Sequence, residues 1–243
     1  MSMDEPVNFG ARGSVYGWPR QLLRLLLPPV CVVCADPGGG EGDLCPACRS
    51  ALPEHGPACR CCASPLFAHD GPALCGSCLQ RPPPLQQVHA CFTYCWPVDG
   101  LLRRFKFHHD LAAGRTLSAL MAQRCAGLPR PQALVPVSLH RRRLRQRGYD
   151  QALELARPLA WALRLPCLPV LTRVRATTPQ SELDATERQR NLRDAFSART
   201  PLPNHVALVD DVMTTGATLH AAARALRRAG VQRVDAWVCA RVP

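Results

Sequence analysis

The chain has 243 residues, of which 47% are hydrophobic, 20% are charged and 5% are aromatic. This composition is that of a folded globular protein and excludes a largely disordered chain. The length accommodates one sizeable domain and a smaller one. The formal net charge is +12, and Lys106 is the only lysine, so arginine supplies nearly all of the positive charge. Because arginine binds phosphate through paired N–H donors, the composition favours a polyanionic ligand, either a phosphorylated sugar or nucleic acid.

The sequence predicts neither a membrane segment nor a targeting signal. The longest apolar run near the start, residues 22–27, contains Arg24 and is too short to cross a bilayer. Asp4 and Glu5 interrupt the basic start that a signal peptide needs, and no small-residue cleavage site follows. We therefore expect a cytoplasmic protein. Its 14 cysteines would then lie in a reducing compartment, where such spacings bind metal more often than they form disulfides.

The N-terminal part of the chain is rich in Cys-x-x-Cys pairs. Residues 1–28 are predicted to form a polar tail and a short helix over residues 18–27, and residues 29–80 contain the pairs. Each pair directs two sulfurs at one ion, and two pairs complete a tetrahedral shell. This segment has too little apolar material for its own core, so we predict a double zinc ribbon held by two structural Zn²⁺ ions. The predicted ligands are Cys31, Cys34, Cys45 and Cys48 in one set, and Cys59, Cys62, Cys75 and Cys78 in the other.

The sequence leaves two features of this ligation open. Cys61 adjoins Cys62 and either could be a ligand, although the regular spacing favours Cys62. The pairs could be used sequentially, as two separate ribbons, or interleaved, and the short gaps within each set favour the sequential arrangement. The histidines that lie off the spacing, His55 and His69, are interpreted as surface residues. The other cysteines are interpreted as small core residues: Cys91, Cys95, Cys125, Cys167 and Cys239.

Beyond the cysteines, the pattern changes to alternating strands and helices. Arg81 and three prolines predict a stiff connector over residues 81–87, followed by a second domain over residues 88–243. Strand patterns occur at residues 88–95, 133–137, 167–174, 206–209 and 233–239. Helical patterns occur at residues 97–107, 111–126, 151–163 and 217–229. This alternation predicts an α/β fold with a mainly parallel sheet flanked by helices.

The most informative stretch is residues 206–218, where an apolar strand leads into two carboxylates, a small-residue loop and a helix. Carboxylates at the carboxyl end of a parallel strand lie where α/β sheets bind their ligands. Backbone N–H groups at the start of the helix suit a phosphate. Capping of the helix is the alternative role for the two carboxylates. The whole pattern resembles the phosphoribosyl pyrophosphate (PRPP) motif of type I phosphoribosyltransferases and predicts a PRPP-binding run of Asp210, Asp211, Val212, Met213, Thr214, Thr215, Gly216, Ala217 and Thr218.

A dense group of arginines follows the strand predicted at residues 133–137. Five arginines occur within residues 141–147, and Asp150 is expected to cap the next helix. This position favours a pyrophosphate edge beside the acid pair, and a solvated or nucleic-acid-binding charge run is the alternative. A polar segment around residues 177–191 is a candidate lid that would exclude water, with an ordinary surface loop as the alternative. The predicted edge is Val137, Ser138, Arg141 and Arg147, and the predicted lid residues are Gln180, Arg188 and Arg190.

Taken together, these motifs resemble the ComF/GntX family, which combines a double zinc ribbon with a type I phosphoribosyltransferase-like domain. The resemblance runs from about Cys31 to Arg241 and rests on the cysteine pairs, Phe105-Lys106-Phe107, Val135-Pro-Val-Ser, Arg147-Gly-Tyr-Asp-Gln151, Gln180, Arg190-Asn191 and Val209-Asp-Asp-Val-Met-Thr-Thr-Gly216. It implies that Asp210 and Asp211 meet the ribose hydroxyls and that residues 214–218 wrap the 5′-phosphate. It also implies Mg²⁺ as a cofactor and an association with competence, the uptake and processing of transforming DNA. The family pattern usually reads Arg-Gly-Phe-Asn-Gln, so the added charge of Asp150 predicts weaker pyrophosphate binding.

Two functions follow from these motifs. The first is a Mg²⁺-dependent phosphoribosyltransferase-like protein that binds PRPP or a related phosphorylated ribose. The sequence identifies neither a general base nor an acceptor, so enzymatic turnover is left unassigned. The second is a non-catalytic DNA-uptake factor that binds single-stranded DNA through the ribbons and the arginines, with a regulatory or vestigial PRPP site. Competence helicase and uptake proteins are the expected protein partners.

Overall fold

A computed structural model describes residues 30–37, 43–66, 73–174 and 195–243, apart from the side chains of Arg141, Arg142 and Gln146. The predicted N-terminal tail and helix lie outside the described residues, and so do His69 and the lid residues Gln180, Arg188 and Arg190. In the described part of the chain, no helix has the combination of length and apolar character that crossing a lipid bilayer requires.

The larger part of the chain is built on a four-stranded, fully parallel sheet in the order β1-β6-β5-β2. In the cysteine-rich part, two short helices are α1 (Pro46–Ser50) and α2 (Gly76–Gln80). The elements that follow are β1 (Gln87–Thr93), α3 (Val98–Phe107), α4 (Leu111–Cys125), β2 (Ala133–Pro136), α5 (Arg141–Arg147), α6 (Gln151–Leu163), β3 (Leu171–Arg173), β4 (Phe196–Ala198), β5 (His205–Met213), α7 (Ala217–Arg228) and β6 (Arg233–Arg241).

Helices cover both faces of this sheet. Alternate residues of β5 belong to different cores: Ala207 and Val209 pack with α4 and α6, whereas Val206 and Leu208 pack with α7. Burial on both faces explains why the strands read as continuous apolar runs rather than as alternating patterns. The predicted α/β fold, a mainly parallel sheet flanked by helices, is confirmed.

Two strand predictions need correction. Of residues 167–174, Cys167 makes an isolated parallel bridge to Leu134 of β2, and the one strand, β3, pairs antiparallel with β4. Pro166 and Pro169 lack the N–H groups that a ladder needs. β5 is longer than predicted and continues through the acid pair to Met213, because its pairing with β6 extends that far. Tertiary pairing here overrides the low strand propensity of aspartate.

The cysteine-rich region packs directly against β1. The backbone N–H groups of Thr93 and Val88 donate to the carbonyls of Pro53 and Arg60, at 2.9 and 2.8 Å. His55 is half-buried and lies within hydrogen-bonding distance of the Ala63 carbonyl, at 2.8 Å, and of the Thr93 hydroxyl, at 3.4 Å. The prediction of His55 as a surface residue is therefore wrong, since its ring joins the ribbons to the sheet.

Of the five scattered cysteines, not all are core residues. Cys91, Cys125 and Cys239 are buried as predicted, but Cys95 is exposed and Cys167 is only partly buried. Cys95 lies in the turn between β1 and α3, beyond the end of the paired strand, so the apolar pattern of β1 does not extend to it.

Candidate functional site

The acid pair lies at the carboxyl end of β5, facing the last turn of α3. Asp210 Oδ1 accepts a hydrogen bond from the Asp211 N–H at 2.9 Å, and Asp211 Oδ1 accepts one from the Val212 N–H at 2.6 Å. Lys106 Nζ lies 3.0 Å from Asp211 Oδ2, and both side chains are largely buried. The alternative role in capping is wrong, because α7 begins after Gly216 and neither carboxylate caps it.

The pKa of one of the two carboxyl groups differs strongly from that of an aspartate on the protein surface. Burial raises the pKa of Asp210 to about 8, and repulsion from Asp211 adds to the increase, while the Asp211 N–H and Lys106 oppose it. A carboxylate in this position is short of positive charge and hydrogen-bond donors. Ribose hydroxyls or a divalent cation would supply them, and groups perturbed in this way concentrate at binding sites.

A cavity of about 180 Å³ lies directly over the acid pair. It brings together carboxylates, cations and the start of α7, and its lining consists of Lys106, Val137, Leu139, Arg143, Arg147, Gln151, Ala152, Asp210, Asp211, Val212 and Thr218. Two cavities of about 530 and 310 Å³ lie beside the second cysteine set, but neither is lined by a carboxylate. The lining of the cavity over the acid pair therefore suits a sugar phosphate better than the linings of the other two.

Part of the predicted pyrophosphate edge lines this cavity. Val137 and Arg147 line the cavity. The side chain of Arg141 lies outside the described part of the chain. The hydroxyl of Ser138 is buried and has no hydrogen-bond partner among the described residues. Arg143 is a lining cation that the prediction omitted. The arginine run forms the helix α5, in which residues four apart lie on one face, so Arg143 and Arg147 point the same way.

A further cation lies close to the cavity, on β3. Burial lowers the pKa of Arg173, the positive charge of Arg143 lowers it further, and Asp210 opposes the effect. Arg173 is therefore within electrostatic range of both the arginine helix and the acid pair. Its guanidinium also lies 5.5 Å from the centroid of the Phe196 ring, which fixes its position against β4.

The end of α3 packs against the turn between α5 and α6. The Phe105 and Tyr149 ring centroids are 5.5 Å apart, and the Arg147 guanidinium lies 5.5 Å from the centre of the Phe107 ring. Gly148 has φ of +75°, a left-handed conformation that favours glycine and turns the chain between these contacts. Two motifs far apart in the sequence thus hold Lys106 and Arg147 at one cavity.

Asp150 has a structural role beside this cavity. Its carboxylate accepts hydrogen bonds from the backbone N–H groups of Leu153, at 3.2 Å, and Leu139, at 3.0 Å. The first bond confirms the predicted cap of α6. Burial raises the pKa of Asp150, and the N–H donors oppose this. Weaker pyrophosphate binding stays a prediction, although these two donors offset the charge that Asp150 presents to an anion.

The loop between β5 and α7 is a short glycine turn that leads directly into the first turn of a helix. Thr214 and Thr215 are exposed, and Thr218, in the first turn of α7, lines the cavity. Gly216 has φ of +76°, and a Cβ added there would lie 2.5 Å from Met213 Cε. The positive φ favours glycine here, and the first N–H groups of α7 have no acceptors within the helix itself.

The eight predicted zinc ligands form two compact clusters. The sulfurs of each set lie within 4.8 Å of one another, and each set consists of two pairs that are consecutive in the chain. Cys34 and Cys45 sulfurs are 3.7 Å apart, and those of Cys62 and Cys75 are 3.6 Å apart. Two sulfurs about 2.3 Å from an ion at the tetrahedral angle lie about 3.8 Å apart. The arrangement is sequential, and the second cluster contains Cys62, not Cys61.

Backbone donors favour a thiolate at one cysteine of each cluster, while burial and neighbouring thiols raise the pKa of Cys48, Cys62 and Cys78. Burial raises the pKa of Cys31, but hydrogen bonds from the backbone of Cys34, Cys45 and Val33 outweigh it and lower the pKa to about 6. The pKa of Cys59 is lowered to about 7 in the same way, against burial, by backbone donors that include the Cys75 N–H. Thiolates are the form that binds metal, so the donor set fits Zn²⁺.

A parallel sheet with an acid pair and a glycine turn at one strand end, joined to two four-cysteine clusters, defines a zinc-ribbon protein with a phosphoribosyltransferase-like domain. Residues 22–79 match the family model of a double zinc ribbon domain, and residues 150–243 match that of a phosphoribosyl transferase domain.

The whole chain also resembles curated proteins. It is 37% identical over 229 residues to the DNA utilization protein YhgH of Salmonella typhi, covering 89% of this chain and 99% of the relative. It is 36% identical to competence protein F of Haemophilus influenzae, covering 83% and 91% of the two chains. The identity to competence protein ComFC of Bacillus subtilis is 30%, covering 78% and 80%. The chain belongs to the ComF/GntX family.

Proposed function

We propose that the chain binds PRPP together with Mg²⁺ in the cavity at the end of β5, as part of a role in competence or DNA utilization. One observation carries this proposal: Asp210 and Asp211 share a small cavity with the start of α7 and with the cations of α3 and α5. The names of the relatives support the wider role.

Each part of PRPP has a chemical counterpart in the cavity. The carboxylates of Asp210 and Asp211 would accept the ribose hydroxyls, and the N-terminal turn of α7 would hold the 5′-phosphate. Arg143 and Arg147 would bind the pyrophosphate as charged donors. Mg²⁺ prefers carboxylate and phosphate oxygens, which such a complex would offer it.

The described groups serve binding and charge stabilisation. If an acceptor displaces pyrophosphate, this chain contributes positioning and positive charge at the leaving group. The lining of the cavity contains no histidine among the described residues, and no residue is assigned to activate an acceptor. Whether turnover occurs is a separate question, which a screen for pyrophosphate release from PRPP with candidate bases and amines would answer.

In the same way, we propose that two Zn²⁺ ions occupy the four-cysteine clusters and stabilise the ribbons. The spacing of the sulfurs, the burial of five of the eight cysteines and the backbone donors to Cys31 and Cys59 support this. Bound zinc would supply folding free energy to a region with few apolar residues of its own, and it would do no chemistry there.

Replacing Arg143 by glutamine is expected to raise the Kd for PRPP by about ten- to hundredfold, because one charge-assisted contact is worth about 1.5–3 kcal/mol. The measurement is isothermal titration of PRPP, with and without Mg²⁺. Arg145→Gln is the matched control. It removes the same charge from the same helix, but Arg145 does not line the cavity. Equal losses in the two variants would mean that only the general positive field matters. No Mg²⁺-dependent binding by the wild-type chain would reject the proposed function itself.

A second candidate function, binding of single-stranded DNA, is favoured by one surface of α6. Trp161 is 85% exposed there, and Arg157 lies one turn earlier on the same side. Arg130 donates hydrogen bonds to the carbonyls of Leu163 and Arg164, at 2.9 and 2.8 Å, and so adds charge at the end of the helix. An exposed indole among arginines can stack a base while the guanidinium groups contact phosphates.

Trp161→Ala is expected to weaken binding of an oligo-dT strand by about five- to hundredfold, because stacking is worth about 1–3 kcal/mol per base. Fluorescence anisotropy at several salt concentrations is the measurement. Trp96→Ala is the control, since Trp96 is also well exposed, at 63%, but lies in the turn before α3. A flat plot of log affinity against log salt would argue against phosphate contacts. Equal effects of the two substitutions would exclude this face of α6.

A further inference from the structure

We propose a third metal site, separate from the two four-cysteine clusters and formed by His89, Cys91 and Cys125. His89 and Cys91 are alternate residues of β1, so their side chains leave the strand on the same side. Cys125 is the last residue of α4, which packs on that side. One ring nitrogen of His89 and the two sulfurs all lie within 4.8 Å of one another.

The distance between the sulfurs suits a bound ion. Cys91 Sγ and Cys125 Sγ are 4.0 Å apart. Two sulfurs about 2.3 Å from an ion lie about 4.0 Å apart when the angle at the ion is 120°, the angle of three-fold coordination. A disulfide bond is only about 2.05 Å long, and both residues are free cysteines. The geometry therefore corresponds to an open pair of ligands in which a nitrogen can complete the set.

The imidazole of His89 carries an unpaired nitrogen and lies beside the two buried thiols. His89 Nε2 is buried and has no hydrogen-bond partner among the described residues. Leaving a buried polar atom unpaired costs about 1–3 kcal/mol. The two neighbouring thiols are almost fully buried, with 3% and 2% of their residues' surface exposed. An ion held by a His89 ring nitrogen and the two sulfurs would lie in a place that bulk water does not reach.

The donor set selects a thiophilic ion. Two thiolates and one imidazole favour Zn²⁺ or Cu⁺ over the hard cations that carboxylates bind. The ion would connect β1 to the end of α4 at the point where the first ribbon docks. There Glu54 bridges to Phe92 of β1 and forms an ion pair with Arg124, next to Cys125. A third ion would therefore stabilise the surface that carries the first ribbon.

The test compares the metal content of the full-length chain and its variants after loading with Zn²⁺ or, under anaerobic conditions, with Cu⁺. The Cys91→Ala/Cys125→Ala variant is expected to hold one ion per chain fewer than the wild type in one of the two arms of the experiment, loading with Zn²⁺ or loading with Cu⁺. Cys239→Ala is the matched control, since Cys239 is equally buried but outside the cluster, and it is expected to match the wild type. These changes leave all eight ribbon cysteines in place.

His89→Gln provides a second variant that keeps both thiols and a side chain of similar size. It is expected to lower the affinity for the third ion at least tenfold in competition with a chromophoric chelator, and to retain the other ions. Equal metal content in wild type, double variant and His89→Gln in both arms would overturn the proposal. A disulfide between Cys91 and Cys125, found by mass spectrometry of protein purified without oxygen, would overturn it too.

Discussion

A chain carrying Asp210→Asn and Asp211→Asn together is expected to lose Mg²⁺-dependent PRPP binding, with Kd rising at least about a hundredfold. Each carboxylate contributes charge-assisted contacts of about 1.5–3 kcal/mol to ribose hydroxyls or to the cation, and the amides cannot replace the charge. Isothermal titration with and without Mg²⁺ measures the loss. Unchanged affinity would remove the acid pair from the proposed site, while leaving the family membership untouched.

The single variants separate a binding role of the acid pair from a structural one. Burial raises the pKa of Asp210 to about 8, against about 3.9 in an unfolded chain. Between these values the folded protein binds more protons at Asp210, so its free energy of unfolding falls as pH rises from about 4 to about 8. Asp210→Asn keeps the acceptor for the Asp211 N–H and removes this slope. The ligand-free variant is therefore expected to be the more stable protein at pH 8.

Asp211→Asn is expected to act in the opposite direction on stability. It leaves Lys106 Nζ, which lies 3.0 Å from Asp211 Oδ2, without its ion pair in a largely buried position, and unpaired buried charge is costly. Urea denaturation at pH 5 and pH 8 measures both effects. If the pair served only to hold the loop in place, both substitutions would destabilise the protein at pH 8 and PRPP binding would fall only with the folded fraction.

Elements with a strong local pattern were predictable from the sequence. The apolar spacing of α3 and the cap of α6 locate helices that begin or end within a residue of the predicted positions. The alternation of these helices with apolar strands was enough to predict the parallel sheet. The acid pair can be located because strand, carboxylates and glycine turn follow one another directly from β5 to α7. A motif that is contiguous in the chain can be recognised from the sequence alone.

The partners of the acid pair come from distant segments, and local patterns do not encode them. Lys106 meets Asp211 only because α3 packs beside the end of β5. Its one available signal was that it is the single lysine among 30 basic residues. In the sequence, Arg143 and Arg145 are both arginines of one charged run, and no pattern distinguishes them. Only the helical geometry of α5 directs the first to the cavity and the second away from it.

The antiparallel pair of β3 and β4 is not predictable from the sequence, for a different reason. The pattern of residues 167–174 predicts a strand, but a short apolar run does not identify its partner strand. Prolines reduce the run to Leu171–Arg173, and the partner is supplied by Phe196–Ala198, far along the chain. Arg173 reaches the vicinity of the acid pair through this small sheet. Its role near the cavity was thus inaccessible to any reading of residues in isolation.

Removing two cysteines from either cluster is expected to abolish one Zn²⁺ ion per chain, as measured by elemental analysis of zinc-loaded protein. Cys59→Ala/Cys62→Ala and Cys31→Ala/Cys34→Ala are the two test variants. Cys61→Ala is the matched control for the second cluster: Cys61 adjoins Cys62 but lies outside the four sulfurs that come together. A further single variant, Cys62→Ala, completes the comparison: full zinc content in Cys61→Ala with loss in Cys62→Ala establishes the ligand. The reverse result would contradict the geometry of the cluster.

The two losses are expected to differ in their effect on stability. Zinc binding to such sites is worth about 10–16 kcal/mol at neutral pH, and this energy is used to fold the ribbon. Cys31, Cys45 and Cys48 belong to the same buried core as Phe92 of β1 and Leu102 of α3. Loss of the first ion therefore unfolds the first ribbon and also exposes the face of the sheet on which this ribbon packs. Cys59 and Cys78 are buried but lie outside both main cores, and the second ribbon meets the core on the other face of the sheet through Ala63 and the partly buried Cys62. Thermal denaturation should show the larger decrease in Tm for Cys31→Ala/Cys34→Ala, and limited proteolysis of the second variant should remove its ribbon while the sheet stays intact.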